Sequence, residues 1–431
     1  MNLDRRTFVQ GFGLGTLGAL AGCTTAAAAS ATARSTSASV PVFNPARADE
    51  YWRSVRALYP LLEDPVYLNT GGLGPTPQPV LDTFFSTMLE LQEHSETGHA
   101  RFEAARETVA PFVGAKPEEI CFVRNATEGN SIIAAGLSLR EGDEVIFETH
   151  AHPGGSFPWF NQVRQRGVKV RLFDPAATSD EENLKRIKAL VTDRTRVIQV
   201  SHITCTAGVV MPVAAIAALA RSRGIWFHID GAQSVGMVPV DFAAIGCDSY
   251  AFSGHKWLGA PHETGVLFLR RDRLADVAPT GIGAHSGELD YLPGELKYAE
   301  SATRHEYGTR NAGAVAALAE AVRFQQKIGR DRVAARGHGL ASRLIDELKA
   351  VEGLTILTPR DPALRGSMMT VQHTRAKASV LFDFLLKKHH LRCRPVTEQG
   401  LQAVRVSTHL FTSQSDCERV IAGLKASTRE L

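Results

Sequence analysis

The chain has 431 residues, of which 44% are hydrophobic and 22% charged, a composition typical of a globular protein with a large core. Its 48 basic and 45 acidic residues leave a formal charge of only +3, and no basic tract is interleaved with aromatic residues. This balance argues against a nucleic-acid partner. Beyond the N-terminus no apolar run is long enough to span a bilayer, so we expect no membrane span.

The N-terminus predicts export. Arg5 and Arg6 precede a short, modestly apolar stretch at residues 11–22, which is the layout of a signal peptide, and the arginine pair followed by Thr-Phe resembles a twin-arginine signal. Two processing routes stay open. Cys23 follows Leu-Ala-Gly as in a lipobox and would carry a lipid, or the chain is cleaved among the alanines of residues 26–33. We expect a periplasmic protein, either released or anchored to the membrane as a lipoprotein through Cys23.

From about residue 80 onwards, helical patterns alternate with short apolar runs typical of buried strands. Strands are predicted over residues 119–123, 144–148, 168–173, 197–201, 225–229 and 264–269, and helices over residues 80–91, 101–113, 125–137 and 213–221. Strands that alternate with helices favour an α/β fold with a mostly parallel sheet covered by helices on both faces. We expect this large domain to span residues 76–315.

The pattern changes after about residue 315. Helices are predicted over residues 314–327, 330–351, 378–389 and 414–427, and strands near residues 355–357, 368–372, 392 and 404–407. This mixture predicts a smaller α+β domain over residues 316–431. Residues 41–75 should pack with that domain, because a lone N-terminal helix has little else against which to bury its apolar face. Residues 1–40 are assigned to the signal peptide and a linker rich in Ala, Ser and Thr.

Three short motifs point to chemistry. Lys256 lies among small and apolar residues in Ser253–Gly259, where desolvation should lower the pKa of the lysine and make its amine nucleophilic. Asp230 ends a strand pattern, where ligands bind in open α/β sheets and an acid can pair with a pyridine nitrogen. Residues Asn125–Gly129 lead into a helix whose free N–H groups, with the Thr127 hydroxyl, could bind a phosphate. Taken singly, an exposed lysine, an N-cap aspartate and a ligand-free helix cap would explain them.

Together these motifs, in this order, resemble the class V aminotransferases, which are fold-type I enzymes that use pyridoxal 5′-phosphate (PLP). That family includes the cysteine desulfurases, the kynureninases and the isopenicillin N epimerase-like proteins, and the last subgroup is the most similar. The resemblance extends from about Tyr67 to the C-terminus. It implies a homodimer in which PLP forms a Schiff base with Lys256. With the twin-arginine signal, the chain also resembles the periplasmic PLP enzyme of pyoverdine maturation.

The resemblance assigns cofactor contacts. It implies Asp230 as the partner of the pyridinium nitrogen and Gln233 as the donor to the phenolic oxygen. His152 is implied to stack on the pyridine ring, with His150 as the alternative. The implied contacts around the phosphate are with Ala126, Thr127, Ser253 and His255.

The resemblance also assigns contacts to the substrate and to a second subunit. Arg405, in an R-x-S-x-H stretch, is implied to bind a substrate α-carboxylate, a role that suits a planar and permanently charged guanidinium. Asn69 belongs to the loop that is implied to line the substrate side. Thr309, in Tyr307–Asn311, resembles the segment that reaches the phosphate bound by the neighbouring subunit. An ordinary surface loop would explain this last segment equally well.

Two departures from the family pattern bear on the reaction. Cys205 stands where several relatives have Asn, which leaves the second contact to the phenolic oxygen unassigned. Cysteine desulfurases need a thiol on a mobile loop before the carboxylate-binding arginine, whereas Cys393 comes too early and falls in a predicted strand. The cysteines of the chain form no C-x-x-C pair and no zinc spacing, so they indicate no metal site and require no disulfide.

We therefore expect an exported, aminotransferase-like PLP enzyme that acts on an amino acid or a peptide-linked amino group, and we expect no desulfurase activity. After the substrate displaces it, Lys256 would act as general base or acid. An epimerase and a β-eliminating lyase are the alternatives, because pocket geometry decides the branch of the reaction. A catalytically silent binding protein with the same fold is disfavoured by the intact Lys256, Asp230 and Arg405.

Overall fold

The computed structural model describes residues 39–431, so Arg5, Arg6 and Cys23, which carry the predictions of export and lipidation, lie outside the described residues. The strands are β1 (Val66–Tyr67), β2 (Ile120–Val123), β3 (Glu144–Glu148), β4 (Lys169–Phe173), β5 (Thr195–Ser201), β6 (Trp226–Asp230), β7 (Ser249–Ser253), β8 (Gly265–Leu269), β9 (Gly287–Asp290), β10 (Glu295–Tyr298), β11 (Leu354–Ile356), β12 (Met368–His373), β13 (Leu391–Arg392), β14 (Arg394–Val396) and β15 (Ala403–Ser407). The helices are α1 (Ala48–Arg56), α2 (Gln78–His94), α3 (Arg101–Phe112), α4 (Ala126–Gly136), α5 (Pro153–Arg166), α6 (Asp180–Leu190), α7 (Val213–Ser222), α8 (Phe242–Ile245), α9 (Ala312–Ile328), α10 (Arg330–Leu348), α11 (Ala378–His389) and α12 (Gln414–Glu430).

A seven-stranded sheet forms the larger part of the described chain, in the order β2-β8-β7-β6-β5-β3-β4. Strands β4, β3, β5, β6 and β7 pair in parallel, whereas β8 runs antiparallel to both of its neighbours. Strands β6, β7 and β8 are buried along their whole length, because helices such as α4 and α7 pack on the sheet. The predicted α/β fold with a mostly parallel sheet is confirmed.

A second, antiparallel sheet with the order β11-β12-β15-β14 lies in the C-terminal part of the chain. Its core joins residues of α10, α11 and α12, such as Leu344, Leu385 and Leu424, to Val404 on β15. The N-terminal segment belongs to the same core, since β1 pairs in parallel with β13 and Leu68 is fully buried in the cluster. β1 and β13 form a separate two-stranded sheet, and directly after β1 and Leu68 the chain enters the loop that begins at Asn69.

Helix α9 contains the boundary predicted between residues 315 and 316. It packs on α2 and α3, and its apolar residues are buried over its whole length. The chain between the two sheets therefore runs through α9 and α10, which are separated by Gly329, and residues 39–431 form one compact unit by their contacts. Among these residues no helix is both long and apolar enough to cross a membrane.

Helix α5 lies where no helix was predicted. Its Pro-Gly-Gly start and the internal Pro158 are unfavourable in a helix. Helix propensities therefore do not predict α5. The structure places Pro153 in the first turn, where a missing N–H is no loss, and His152 caps the helix. The helix therefore begins directly beside the carboxyl ends of the strands.

Candidate active site

A cavity of about 250 Å³ lies at the carboxyl ends of β6 and β7, where ligands bind in open α/β sheets. The loop after β1 contributes Gly71 and Gly72, and the C-terminal sheet contributes Arg394 and Arg405. Nine of the residues predicted for the site line this cavity, namely Ala126, Thr127, His152, Asp230, Gln233, Ser253, His255, Lys256 and Arg405. Residues that are more than 270 positions apart in the sequence thus meet in one cavity.

Lys256 lies on a tight loop after β7. The loop is closed at its base, where the Gly254 N–H donates to the Thr264 carbonyl over 2.8 Å. From the other side, the Gly74 N–H donates to the His255 carbonyl over 2.8 Å, and a Cβ on Gly74 would lie only 1.7 Å from the Lys256 carbonyl oxygen. Glycine is therefore required at position 74 for the N-terminal loop to approach the lysine.

Lys256, the residue predicted to bind the cofactor, lines the cavity. Desolvation lowers the pKa of this lysine, while the charge of Asp230 opposes the shift. A lower pKa leaves more of the amine unprotonated, as a lysine that attacks a carbonyl requires. The two charged groups predicted to flank the cofactor ring are thus close enough to influence each other.

Asp230 is held by hydrogen bonds to both of its carboxylate oxygens. Oδ1 accepts from the Ala232 N–H over 3.0 Å, and Oδ2 accepts from Asn130 Nδ2 over 3.0 Å. Gly155 keeps this place open, because a Cβ there would lie 2.8 Å from Asp230 Oδ2. The carboxylate is buried and oriented at the end of β6, which suits a partner for a pyridinium nitrogen.

Behind Asp230 runs a chain of polar groups that was not predicted. Trp226 Nε1 donates to Ser249 Oγ over 2.9 Å, which directs the serine proton towards His228 Nδ1 at 2.8 Å. His228 Nε2 then donates to Asn130 Oδ1, also over 2.8 Å. Burial lowers the pKa of His228 to about 3, so the ring is neutral and its tautomer is set by these neighbours. The chain orients the Asn130 amide towards Asp230.

Two sequence signals could have indicated these residues. His228 precedes Asp230 by two positions in a strand, and such residues point to the same face of a sheet. Asn130 lies one helical turn after Thr127 and therefore on the same side of α4. Neither signal predicts that the two side chains meet, because β6 and α4 are brought together only by packing.

Two side chains that could donate to a phosphate, Ser253 and His255, lie beside the start of α4. Asn125 caps the helix by accepting from the Glu128 N–H, and Ser253 Oγ accepts from the Ala126 N–H, each over 3.0 Å. The Ser253 proton is therefore free to be donated elsewhere. His255 Nδ1 is buried without a hydrogen-bond partner, and such an atom is costly unless a ligand satisfies it. This cradle fits the PLP phosphate.

The two candidate stacking histidines occupy different places. His152 lines the cavity, and its Nδ1 accepts from the Gly154 N–H over 3.0 Å. His150 is absent from the lining residues and pairs with Thr206 Oγ1 over 2.8 Å. The structure thus gives His152, and not His150, access to a ring bound in the cavity.

Gln233 is fixed by two neighbours of the cavity. Its Nε2 donates to the Gly71 carbonyl and its Oε1 accepts from Trp257 Nε1, both over 2.8 Å. One N–H of the amide remains for an oxygen in the cavity. Cys205 lines the cavity as well, and burial raises the pKa of its thiol.

Arg405 is a buried cation for which the structure records no acidic partner. Only 1% of the residue is exposed, and its two terminal nitrogens donate to the Cys205 carbonyl over 2.6 Å and to Asn69 Oδ1 over 3.0 Å. Nε is buried and unpaired. Burial, reinforced by Arg394, lowers the pKa of Arg405 to about 10. A carboxylate from a ligand would satisfy both the charge and the unpaired donor. Asn69 therefore contributes to the site by accepting a hydrogen bond from Arg405.

Thr309 lies apart from this cavity. It lines a second cavity of about 240 Å³ together with Phe122, Arg124 and Tyr307. Its segment is anchored by Glu306, which forms a buried ion pair with Arg106 and accepts from the Phe122 N–H over 2.7 Å. Thr309 is not among the residues that line the cavity with the cradle at α4, and its contact across a dimer stays a prediction.

Glu148, the last residue of β3, is a buried carboxyl close to Asp230. Oε1 accepts from the Ser201 N–H over 3.0 Å, and Oε2 has no partner. Burial raises the pKa of Glu148 to about 7 from a usual value of 4.5. Between pH 4.5 and 7, the Glu148 carboxyl therefore keeps its proton in the folded chain and releases it in the unfolded chain. The contribution to stability is complete below pH 4.5 and is lost as the pH rises through 7.

We expect Glu148→Gln to remove this pH dependence. The free energy of unfolding of the wild type, relative to the variant, should fall by about 3 kcal/mol between pH 4.5 and pH 8, because each pKa unit corresponds to about 1.4 kcal/mol. Urea unfolding of the full chain at several pH values measures the free energy of unfolding of the wild type and the variant. Glu347→Gln, on the exposed side of α10, is the control. Parallel curves for the wild type and Glu148→Gln would contradict the prediction.

This fold and this cavity define a PLP-dependent enzyme of fold-type I. Residues 66–420 match the family model described as "Aminotransferase class-V". The chain belongs to the class V aminotransferase family. When bound, PLP supplies an electron sink that stabilises negative charge at a carbon next to the substrate nitrogen.

The similar proteins differ in activity. A probable cysteine desulfurase of Methanothermobacter thermautotrophicus is 31% identical over 70% of this chain and 76% of its own length. The isopenicillin N epimerase of Amycolatopsis lactamdurans is 28% identical over 87% of this chain and 98% of its own length. Among solved structures, the cysteine desulfurase of Thermococcus onnurineus NA1 superposes with a TM-score of 0.79 at 25% identity, covering 88% of this chain and 98% of that chain.

Proposed function

We propose that this PLP enzyme catalyses an aminotransferase-like reaction on an amino acid or a peptide-linked amino group. The observation that carries the proposal is Arg405, a buried guanidinium with no acidic partner in the structure, in the same cavity as Lys256 and Asp230. Arg405 would hold the α-carboxylate and so fix the substrate. Lys256, whose pKa is lowered, would move a proton at the substrate α-carbon.

Epimerisation is the second candidate, supported by the similarity to an isopenicillin N epimerase. It uses the same first step, in which Lys256 removes the α-proton, and differs in returning a proton to the opposite face. To separate the two reactions, the PLP-loaded enzyme is incubated with a panel of amino acids and amino-bearing peptides in deuterium oxide. Conversion of the cofactor spectrum to the pyridoxamine form supports transamination, whereas deuterium at the α-carbon without that conversion supports epimerisation. If no compound gives either result, the proposal is wrong.

We expect no cysteine desulfurase activity, although several similar proteins bear that name. Cys393 is buried in the core of the C-terminal sheet, where burial raises the pKa of its thiol to about 12. The turn between β14 and β15 contains no cysteine. Sulfide release from cysteine should stay at the background level of Lys256→Ala. Sulfide release above that level, abolished in Cys393→Ala, would contradict this expectation.

Cys205 needs a separate control, because it is the one cysteine among the residues lining the cavity of the described chain. Its thiol is buried, and burial raises its pKa, which disfavours the thiolate that a nucleophile requires. Cys205→Ser should therefore leave sulfide release at the same background level. A difference between this variant and the wild type would assign the chemistry to Cys205.

Export is part of the proposal. The arginine pair Arg5-Arg6 supports the twin-arginine route, which carries folded proteins and would let the enzyme bind PLP before leaving the cytoplasm. Cell fractionation should find the full chain in the periplasm and its Arg5→Lys/Arg6→Lys variant in the cytoplasm. Labelling with a radioactive fatty acid tests the lipid at Cys23, and loss of label in Cys23→Ala is expected if the lipobox is used.

A homodimer is also proposed. Its support is that Thr309 lines a different cavity from the one that contains the cradle, together with the resemblance of its segment to one that reaches a neighbouring subunit. Light scattering on the purified enzyme should give twice the mass of one chain. Thr309→Ala should then bind PLP more weakly without changing that mass.

A further inference from the structure

Arg394 is a second guanidinium at the substrate end of the cavity. It lies directly opposite Arg405 in the antiparallel pair of β14 and β15, so both side chains leave the same face of the sheet. Side chains in such a pair start about 5 Å apart. Both residues line the cavity, although the sequence motifs singled out only Arg405.

This arrangement is unfavourable unless an anion is present. Like charges directly opposite each other destabilise a sheet, and here Arg405 is buried and the side chain of Arg394 is 23% exposed. Of the fifteen residues that line the cavity, Asp230 is the one acid, and it ends the strand β6 of the other sheet. Among its lining residues, the substrate end of the cavity therefore has two guanidinium groups and no carboxylate.

Arg394 is only partly neutralised. Its NH2 group forms an ion pair with Glu398, which is not among the residues lining the cavity. Its NH1 group is buried and has no hydrogen-bond partner in the structure, and the same holds for Nε of Arg405. Because the NH2 group of the Arg394 guanidinium is paired and its NH1 group is not, Arg394 can bind Glu398 and a further oxygen at the same time. Each arginine thus keeps one donor for a ligand.

We propose that the enzyme selects amino substrates whose side chain carries a second carboxylate, of the length found in aspartate or glutamate. Arg405 binds the α-carboxylate, and Arg394 binds the side-chain carboxylate through its open NH1 group. This inference rests on the proposed function, because it assigns the α-carboxylate to Arg405. A neutral amide of the same shape would accept one hydrogen bond but would leave the second positive charge uncompensated.

Glu398 sets the strength of this preference. It lies in the turn between β14 and β15, next to Gln399, whose φ of 54° places it in the left-handed region. Its carboxylate competes with a substrate carboxylate for the charge of Arg394. Removing that charge in Glu398→Gln should therefore strengthen the binding of substrates with two carboxylates.

The test measures binding and does not depend on turnover. PLP-loaded enzyme is titrated with α-methylglutamate and with α-methylglutamine, which lack an α-proton and differ only in the charge of the side chain. The change in cofactor absorbance gives the dissociation constants. We expect α-methylglutamate to bind at least about tenfold more tightly, because an additional charge-assisted hydrogen bond is formed. Arg394→Gln should reduce this ratio to about one, Arg394→Lys should retain part of it, and Glu398→Gln should increase it.

Arg223→Gln, at the exposed end of α7, is the matched control and should keep the wild-type ratio. A wild-type ratio near one, or an unchanged ratio in Arg394→Gln, would overturn the inference while leaving the proposed function intact. If neither compound binds, the inference is wrong, and the panel of amino acids and peptides decides separately on the proposed function. Retention of the cofactor spectrum in each variant shows that the site is still folded.

Discussion

Lys256→Ala is expected to abolish the visible absorption band of covalently bound PLP and to lower turnover by about 10³-fold or more. The variant loses both the nucleophile that holds the cofactor and the group that moves the α-proton. Because the lysine is desolvated in the wild type, its removal should leave the fold intact. Absorbance spectroscopy and single-turnover assays with an amino acid substrate measure the two effects.

Lys327→Ala provides the comparison, since Lys327 is exposed on α9 and lies outside the cavity. It should bind PLP and turn over as the wild type does. An unchanged absorption band in Lys256→Ala would show that another amine holds the cofactor. In that case the assignment of the whole cavity would have to be revised.

Asp230→Asn should lower turnover by about 10²- to 10³-fold while PLP remains bound. The negative charge that would stabilise a protonated pyridine nitrogen is lost, and removal of one preorganised electrostatic group typically has an effect of this size. Both oxygens of Asp230 accept hydrogen bonds, from Ala232 and from Asn130. An amide can satisfy only one of these donors, so the replacement also disturbs the orientation of the group.

Asn130→Ala separates charge from orientation. It keeps the carboxylate but removes the link to His228, so we expect a smaller loss of turnover than in Asp230→Asn. Asp383→Asn, on the exposed face of α11, should have no effect. Turnover of Asp230→Asn within a few-fold of the wild type would contradict the proposed partner of the pyridine nitrogen.

Much of the fold could be predicted because it depends on local patterns. Strands such as β2 and β8 are continuous apolar runs between turns, as is typical of strands buried on both faces. Elements whose sequences violate a propensity were missed, as α5 was. The hairpin of β9 and β10 was missed as well, because its exposed strands carry no burial pattern.

The amino-acid sequence by itself determined the class of chemistry. Lys256, Asp230 and Thr127 each lie in a short motif beside a strand end, and in a parallel α/β sheet such ends converge on one edge. The tertiary structure alone decided which of His150 and His152 faces the cavity, how His228 and Asn130 hold Asp230, and that Arg394 stands opposite Arg405. These facts depend on packing and strand register between distant segments, which no local pattern encodes.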